Sequence, residues 1–303
     1  MKYFIKRLLF YIYLLSTLAC ISTILGFFGS SYYLFEMLNS LRFQYIFFLS
    51  LIIPLTFLCK QRFLSIIFLL FLGINLFTVY NKERIIPSYE NRSLSVIAVN
   101  LNANNNRLFN AINILVNLDP DILLISEITD RTINHLKPIE KAYPYKILFP
   151  RNDGFGIGLF SKIKLDNSSV RFSPDDNYMI PYIYAEIDGL HLYGIHPLHP
   201  TSSRYFKDRL GVFSAIKKHP KMIILGDFNT VPWSSLLKNT KKRLDLIDIK
   251  GGFRTLIPTW GTWIIFGLSI DGCLISKNIS AKNYNTIPIP GSDHKAIIAE
   301  ISY

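Results

Sequence analysis

Met222 to Trp233 read MIILGDFNTVPW. Met222 to Leu225 form a short, unbroken apolar run, as expected of a strand covered on both faces. Gly226 lets the backbone turn where the run ends, and Pro232-Trp233 closes the stretch. Asp227 and Asn229 stand two apart, so on extended backbone they project to the same side. An Asp-x-Asn at a strand end also serves as a simple turn cap. The two readings separate on whether other strands end in groups that suit a carboxylate and an amide.

Outward from that stretch, other strands do. Ser93 to Leu101 (SLSVIAVNL) is β-branched and partly alternating, and ends in Asn100-Leu101-Asn102. Helical spacing of Leu108, Ala111, Ile112, Leu115 and Val116 predicts a helix over Asn106 to Leu118. Asp119-Pro120-Asp121 breaks it, and Ile122 to Ile125 form a strand ending in Ser126-Glu127. A helix is expected over Thr132 to Glu140, and strands over Tyr145 to Phe149 and Phe155 to Ser161. Tyr182 to Ile187 and His191 to His196 make a hairpin across Asp188-Gly189. Ser202 to Lys218 is amphipathic, and Ser269 to Ser276 and Lys295 to Ile301 supply the last strands. Strands joined partly by helices and partly by hairpins give an α/β (α+β) domain of two packed, mostly antiparallel sheets with helices outside. Asn100, Glu127, His196, Asp227 and Asp271 all fall at strand ends, where converging sheet edges form a cleft.

The chain is 303 residues long and half hydrophobic, too apolar for an ordinary soluble enzyme. The excess sits at the front. Residues 5–28, 43–59 and 63–80 are each near the ~17–25 residues needed to span a bilayer, so three transmembrane helices are expected. Pro54 is compatible with a span when neighbouring helices satisfy the freed carbonyl. A cleaved signal peptide would also open on Lys2, Lys6 and Arg7, but Ala19-Cys20 runs on into apolar sequence. A lipoprotein-type Leu18-Ala19-Cys20 is the other form of that reading. The division is then an anchor over 1–82, a polar linker over 83–92 and a catalytic domain over 93–303.

Lys2, Lys6, Arg7, Lys60 and Arg62 flank one side of these spans, and only Arg42 the other. The excess of Lys and Arg on cytoplasmic loops places the domain on the extracytoplasmic side of a multi-pass protein. The net charge is +12; beyond Glu90, 25 basic residues face 18 acidic ones. A basic face of that kind suits nucleic acid or anionic headgroups, or only the neighbouring membrane surface. Three cysteines, two of them inside spans, exclude a disulfide framework and a cysteine metal site.

The strand-end residues carry recognisable chemistry. A hard cation such as Mg²⁺ takes oxygen ligands, one or two carboxylates among them; Glu127 is the best candidate, and Asn100 can assist or contact phosphate. His196-Pro197-Leu198-His199-Pro200 contains a His-x-x-His pair, but nothing nearby completes a zinc site. His196 ends a strand and is the better catalytic candidate; His199 is ambiguous. An aspartate bonded to a histidine fixes its tautomer and raises its basicity, which suits Asp271 and His294. Phe155, Trp233, Trp260 and Trp263 can stack on bases, sit among headgroups or fill core.

Asn100-Leu101-Asn102, Ser126-Glu127, Gly156-Ile157-Gly158-Leu159-Phe160-Ser161, His196-Pro197, Gly226-Asp227-Phe228-Asn229, Pro258-Thr259-Trp260, Ile270-Asp271 and Gly291-Ser292-Asp293-His294 follow one another in order. That order resembles the endonuclease/exonuclease/phosphatase superfamily with its deoxyribonuclease I-like fold, over roughly residues 93–303. The layout looks like the bacterial membrane-anchored branch, in which apolar spans precede the domain. The resemblance implies a four-layered α/β sandwich in a bacterial inner membrane that hydrolyses phosphate esters with Mg²⁺, or Mn²⁺ in its place. It implies that Glu127 holds the metal with Asn100 and Asp293, and that Asp227 activates water. Asn229, His196 and Asn100 would contact the phosphate, and His294, braced by Asp271, would stabilise the transition state. Several nuclease members carry an aspartate where this chain has Asn102, and the domain is short for the family.

The function expected is a membrane-anchored, metal-dependent phosphoesterase acting on nucleic acid or on a phospholipid-type ester. A silent membrane binding protein that kept the fold is the alternative, and intact Glu127, Asp227, Asn229, Asp271 and His294 speak against it. A transporter fits badly, because the spans carry no charge to form a path. Nothing points to a protein partner.

Overall fold

A computed structural model describes residues 2–83, 92–173, 178–261 and 263–303. From 84 to 91 the expected linker lies outside the described residues. Four helices lead: α1 (Lys2–Leu25), α2 (Tyr33–Ser40), α3 (Arg42–Leu58) and α4 (Arg62–Val79). By length and composition, Lys6–Phe28 and Arg62–Val79 can each cross a membrane. The pair α2 and α3 bends by 52° and makes a third span only if counted as one. Pro54 lies inside an unbroken α3. Residues 30–38, a semi-apolar tail in the sequence, mostly belong to α2, which turns off the bundle and packs against the rest of the chain.

Twelve strands follow among the described residues, in two sheets of six. The first has the order β11 (Ser280–Pro288), β12 (Lys295–Ser302), β1 (Ser93–Asn100), β2 (Ile122–Ser126), β4 (Ile157–Ser161), β3 (Tyr145–Phe149). The second has the order β5 (Asn167–Phe172), β6 (Pro181–Ile187), β7 (Leu190–Ile195), β8 (Met222–Asp227), β10 (Asp271–Ser276), β9 (Leu246–Asp248). Only β1–β2 and β7–β8 run parallel, each pair at the middle of its sheet. Parallel neighbours need a crossover; α5 (Leu108–Leu118) and α8 (Ser203–Ala215) provide the helices. The two halves therefore share a topology that no repeat in the sequence announces.

Alternation along the strands builds the four layers. Val96, Leu124, Leu192, Ile223 and Leu225 meet in the core between the sheets. Ile97, Val99 and Leu123 face the other way, onto α5 and α7 (Lys137–Ala142). Ile195, Ile224 and Leu274 face α8 and α9 (Ser235–Leu244). Met222 to Leu225 are buried on both sides, which explains why that strand is continuously apolar. Gly226 sits at φ +141°, and a Cβ there would come 2.1 Å from the Ile195 carbonyl oxygen, so no other residue fits.

Five elements of the sandwich differ from expectation, one of them β9, which at three residues is too short to announce itself. The helix expected over Thr132 to Glu140 is two pieces, α6 (Asp130–Ile133) and α7, because the chain turns at Asn134 to Leu136. Edge strands β5 and β11 are too polar to announce themselves, as exposed edges usually are. Amphipathic α9 also escaped notice.

Candidate active site

Strand register brings the site together. Asn100 pairs with Ser126 across β1 and β2, which puts Glu127 beside it one residue on. Ile195 pairs with Gly226, so His196 emerges next to Asp227; Asp271 pairs directly with Asp227 across β8 and β10. The turn before β12 adds Asp293 and His294. All eight residues expected at the site, Asn100, Glu127, His196, Asp227, Asn229, Asp271, Asp293 and His294, converge at this end of the sandwich.

The deepest part sets one histidine between two buried acids. His294 Nδ1 donates to Asp271 Oδ2 at 3.0 Å, and its Nε2 lies 3.7 Å from Asp227 Oδ2. Burial alone would lower the His294 pKa, but Asp271 and Asp227 outweigh it and push it up to about 10. Thr259 Oγ1 accepts the backbone N–H groups of Ile270 and Asp271, which fixes the start of β10. Asp227 is 2 % exposed, and its pKa is raised by burial and by Asp271, with His294 and His196 pulling the other way. Asp227 Oδ1 accepts the Asn229 backbone N–H at 2.9 Å, and Asn229 adopts φ 48°, a conformation that asparagine tolerates.

Around this chain the polar groups face the cleft. Asn100 Nδ2 donates to Glu127 Oε1 at 2.8 Å and lies 3.2 Å from Asp227 Oδ2. Glu127 Oε2 accepts the Ala103 N–H. Asn229 Nδ2 donates to the Pro197 carbonyl, tying its loop to that of His196. His196 is buried beside Phe155, its Nε2 3.6 Å from Asp227 and its Nδ1 without a hydrogen-bond partner. His199 donates no such geometry: its Nδ1 meets Thr201 Oγ1 at 2.7 Å at the cleft wall, and burial lowers its pKa. Asp293 accepts from Asn102 Nδ2 and Trp260 Nε1, both at 2.8 Å. Asn102 thus donates where an aspartate could only repel.

Glu127, Asp227 and Asp293 line one cavity of about 850 Å³, and among the described residues no lysine or arginine lines it with them. Glu127 and Asp293 offer carboxylate oxygens beside the Asn100 amide, and an all-oxygen donor set suits a hard divalent cation. Asp227, Asp271 and His294 also present ligand atoms within 4.8 Å of one another. Those three side chains are buried, whereas Glu127 and Asp293 are half-buried and open to the cleft, so they fit an ion better.

The sequence missed several residues around the site. Lys250 is buried behind it and donates to the Asp271 carbonyl at 2.7 Å. Ser292 Oγ donates to the Asn100 carbonyl and accepts the His294 N–H, bracing both. Met37, Ser40 and Leu41 of the helical segment form part of the cleft wall. Of the aromatics, Phe155 and Trp260 line the cleft, Trp233 is buried beneath it and Trp263 is exposed.

The family model for the Endonuclease/Exonuclease/phosphatase family matches residues 97–294. That segment holds most of the chain and nearly every residue named above. The chain belongs to the endonuclease/exonuclease/phosphatase family. Solved structures share its fold at low identity. A 3'-5' exonuclease (NExo) from Neisseria meningitidis aligns at 19 % identity with a TM-score of 0.55, covering 69 % of this chain and 100 % of its own. TDP2 of D. rerio, complexed with a single-strand DNA product, aligns at 16 % identity and 0.55, over 70 % and 100 %. A family member from Beutenbergia cavernae aligns at 15 % and 0.53, over 70 % and 72 %. Among curated proteins nothing matches.

Proposed function

We propose that the chain is a membrane-anchored, divalent-metal-dependent phosphoesterase, with an anchor over 1–82 and a catalytic domain over 93–303. The observation that carries this reading is the Asp271–His294–Asp227 chain in one cleft with Glu127 and Asp293. Glu127, with Asn100 and Asp293, would hold Mg²⁺ or Mn²⁺. A bound cation there supplies Lewis-acid charge to a non-bridging phosphate oxygen.

The protein's own groups divide the remaining work. Asp227 accepts a proton from the attacking water; its raised pKa makes it a stronger base than an ordinary carboxylate. His294 stays protonated at neutral pH and presents Nε2–H to charge that grows on the phosphate. Asn229 keeps one amide N–H free for a phosphate oxygen while the other holds the Pro197 carbonyl. His196 serves the phosphate or the leaving oxygen, its unpartnered Nδ1 being satisfied on binding.

The helical segment supports the anchor. Arg42, the single cation between the first two hydrophobic stretches, is buried and bonded to Asn39 and Asn75. It is therefore structural, and Lys2, Lys6, Arg7, Lys60 and Arg62 are left as the flanking charges. Lys60 follows the C-terminal end of α3, about 25 Å along the helix from Arg42 and the sandwich. This supports a multi-pass protein of a bacterial inner membrane with its catalytic domain extracytoplasmic.

Exonuclease and DNA-bound structures among the relatives support a nucleic-acid phosphodiester as one substrate class. A phospholipid-type ester is the other, and the lining of the cleft favours it. The full-length chain in detergent should hydrolyse bis(p-nitrophenyl) phosphate with Mg²⁺ and lose that activity in Asp227→Ala. Equal rates for the variant and the native chain would sink the reading.

A further inference from the structure

Helix α2 is inside out for a helix on a water-soluble protein. Glu36, Asn39 and Ser40, its polar face, are buried. Leu34 and Met37 are exposed, as is Leu41, which follows the helix. An exposed apolar stripe on a short helix suits the plane of a bilayer interface, with the stripe toward lipid. Here it also meets the catalytic cleft, because Met37 and Leu41 line the same cavity as Glu127, Asp227 and His294.

The surroundings agree. Phe27 and Phe28, in the turn between α1 and α2, are exposed. Trp263 and Phe266 are 72 % and 73 % exposed in the loop that Gln44 Nε2, at the start of α3, holds by the Gly267 carbonyl at 3.1 Å. Exposed aromatics at the end of a bundle of apolar helices mark headgroup depth. Leu268 and Ile270 continue the apolar wall from that loop into the cleft. A polynucleotide would instead want free cationic groups along its backbone; among the described residues no lysine or arginine lines the cleft, and Arg131 and Arg151 at its rim are bonded to Ala103 and Asp153.

We propose that α2 belongs to the substrate site: Met37 and Leu41 form an apolar subsite that seats the hydrocarbon chain of a membrane amphiphile whose phosphate ester lies against Glu127, Asp227 and His294. This rests on the hydrolase reading above and names its substrate class. The helical segment is then part of the enzyme as well as its anchor, and the cleft takes its substrate from the bilayer that holds it.

The test uses the full-length chain with Mg²⁺ and two matched diesters below their micellar concentrations, p-nitrophenyl ethyl phosphate and p-nitrophenyl octyl phosphate, beside a single-stranded oligonucleotide. The octyl ester should exceed the ethyl ester in kcat/KM by at least about tenfold, chiefly through KM, since each buried methylene adds severalfold. The double variant Met37→Ser/Leu41→Ser should bring that ratio toward one without unfolding the protein. A ratio near one in the native chain, a ratio the variant leaves untouched, or preferred cleavage of the oligonucleotide overturns the subsite and leaves the hydrolase reading standing. Failure to cleave any of the three sinks the hydrolase reading instead. Quenching of tryptophan fluorescence by octyl and ethyl phosphate then reads the subsite alone, Trp260 lining the same cleft. Tighter octyl binding that the double variant loses supports it, and equal binding overturns it.

Discussion

Glu36 Oε1 and Arg209 Nη2 meet at 3.2 Å with both side chains 1 % exposed, joining α2 to α8. The same Glu36 oxygen accepts from Thr230 Oγ1 at 2.9 Å, three residues beyond Asp227. Trp233 Nε1 donates to the Asn39 carbonyl at 2.8 Å beside it. The helical segment and the loop after the central aspartate are therefore one packed unit. Removing one partner of a buried ion pair leaves an uncompensated charge and costs about 3–5 kcal/mol. Glu36→Ala should lower stability by that order. Adding Arg209→Met should recover much of the loss, since Arg209 Nε and Nη1 have no hydrogen-bond partner. Thermal unfolding of the two variants in detergent checks the pair.

The pH dependence should follow His294. Its pKa lies near 10 against an ordinary 6.5, so the folded state holds its proton more tightly than the unfolded chain does. The stability from this raised group is complete below about 6.5 and is lost as pH rises through about 10. Activity should fall along the same alkaline limb. Asp271→Asn removes the partner at 3.0 Å and should move that limb toward the ordinary histidine range. The rate should fall by about 10²–10⁴ as well. A profile of kcat/KM against pH for both chains measures the shift.

Metal dependence should centre on Glu127. A chelator should abolish hydrolysis, and added Mg²⁺ or Mn²⁺ should restore it. Glu127→Gln keeps the shape and removes the negative charge that a hard cation prefers. The Mg²⁺ concentration for half-maximal rate should rise at least about tenfold, as a metal titration would show.

Asn102 offers a sharper check, because it stands where the resemblance leads one to expect an aspartate in several nucleases. Its amide donates to Asp293 Oδ1 at 2.8 Å. Asn102→Asp sets two carboxylates together and should lower the melting temperature without metal. Saturating Mg²⁺ should shrink the difference, since a cation can bridge the pair. Calorimetric scans with and without Mg²⁺ give both numbers.

Most of the sandwich was legible in the sequence because its signals are local. Four apolar residues before Gly226-Asp227 specify a buried central strand, and the other polar strand ends follow from the same pattern. The helical segment was harder to read. Glu36 lies in a semi-apolar tail, and only the fold shows that its carboxylate turns inward to Arg209, 173 positions on in the chain. Arg42 looked like a flanking charge, yet Asn39 and Asn75 bury it. Contacts of that separation leave no periodic trace, and an amphipathic helix does not say which of its faces is buried. Polar edge strands such as β5 stayed silent because an exposed edge needs no apolar pattern.

Asp227 and His294 are the residues on which the hydrolase reading turns, so they carry the most direct measurement. Full-length native, Asp227→Ala and His294→Ala chains, each confirmed folded, are assayed on bis(p-nitrophenyl) phosphate with Mg²⁺ and again with a chelator. Metal-dependent turnover in the native chain, reduced by at least about 10²-fold in both variants, is the expected result. Turnover that persists in either variant, or that ignores the chelator, would contradict the assignment of this cleft as a metal-dependent phosphoesterase site.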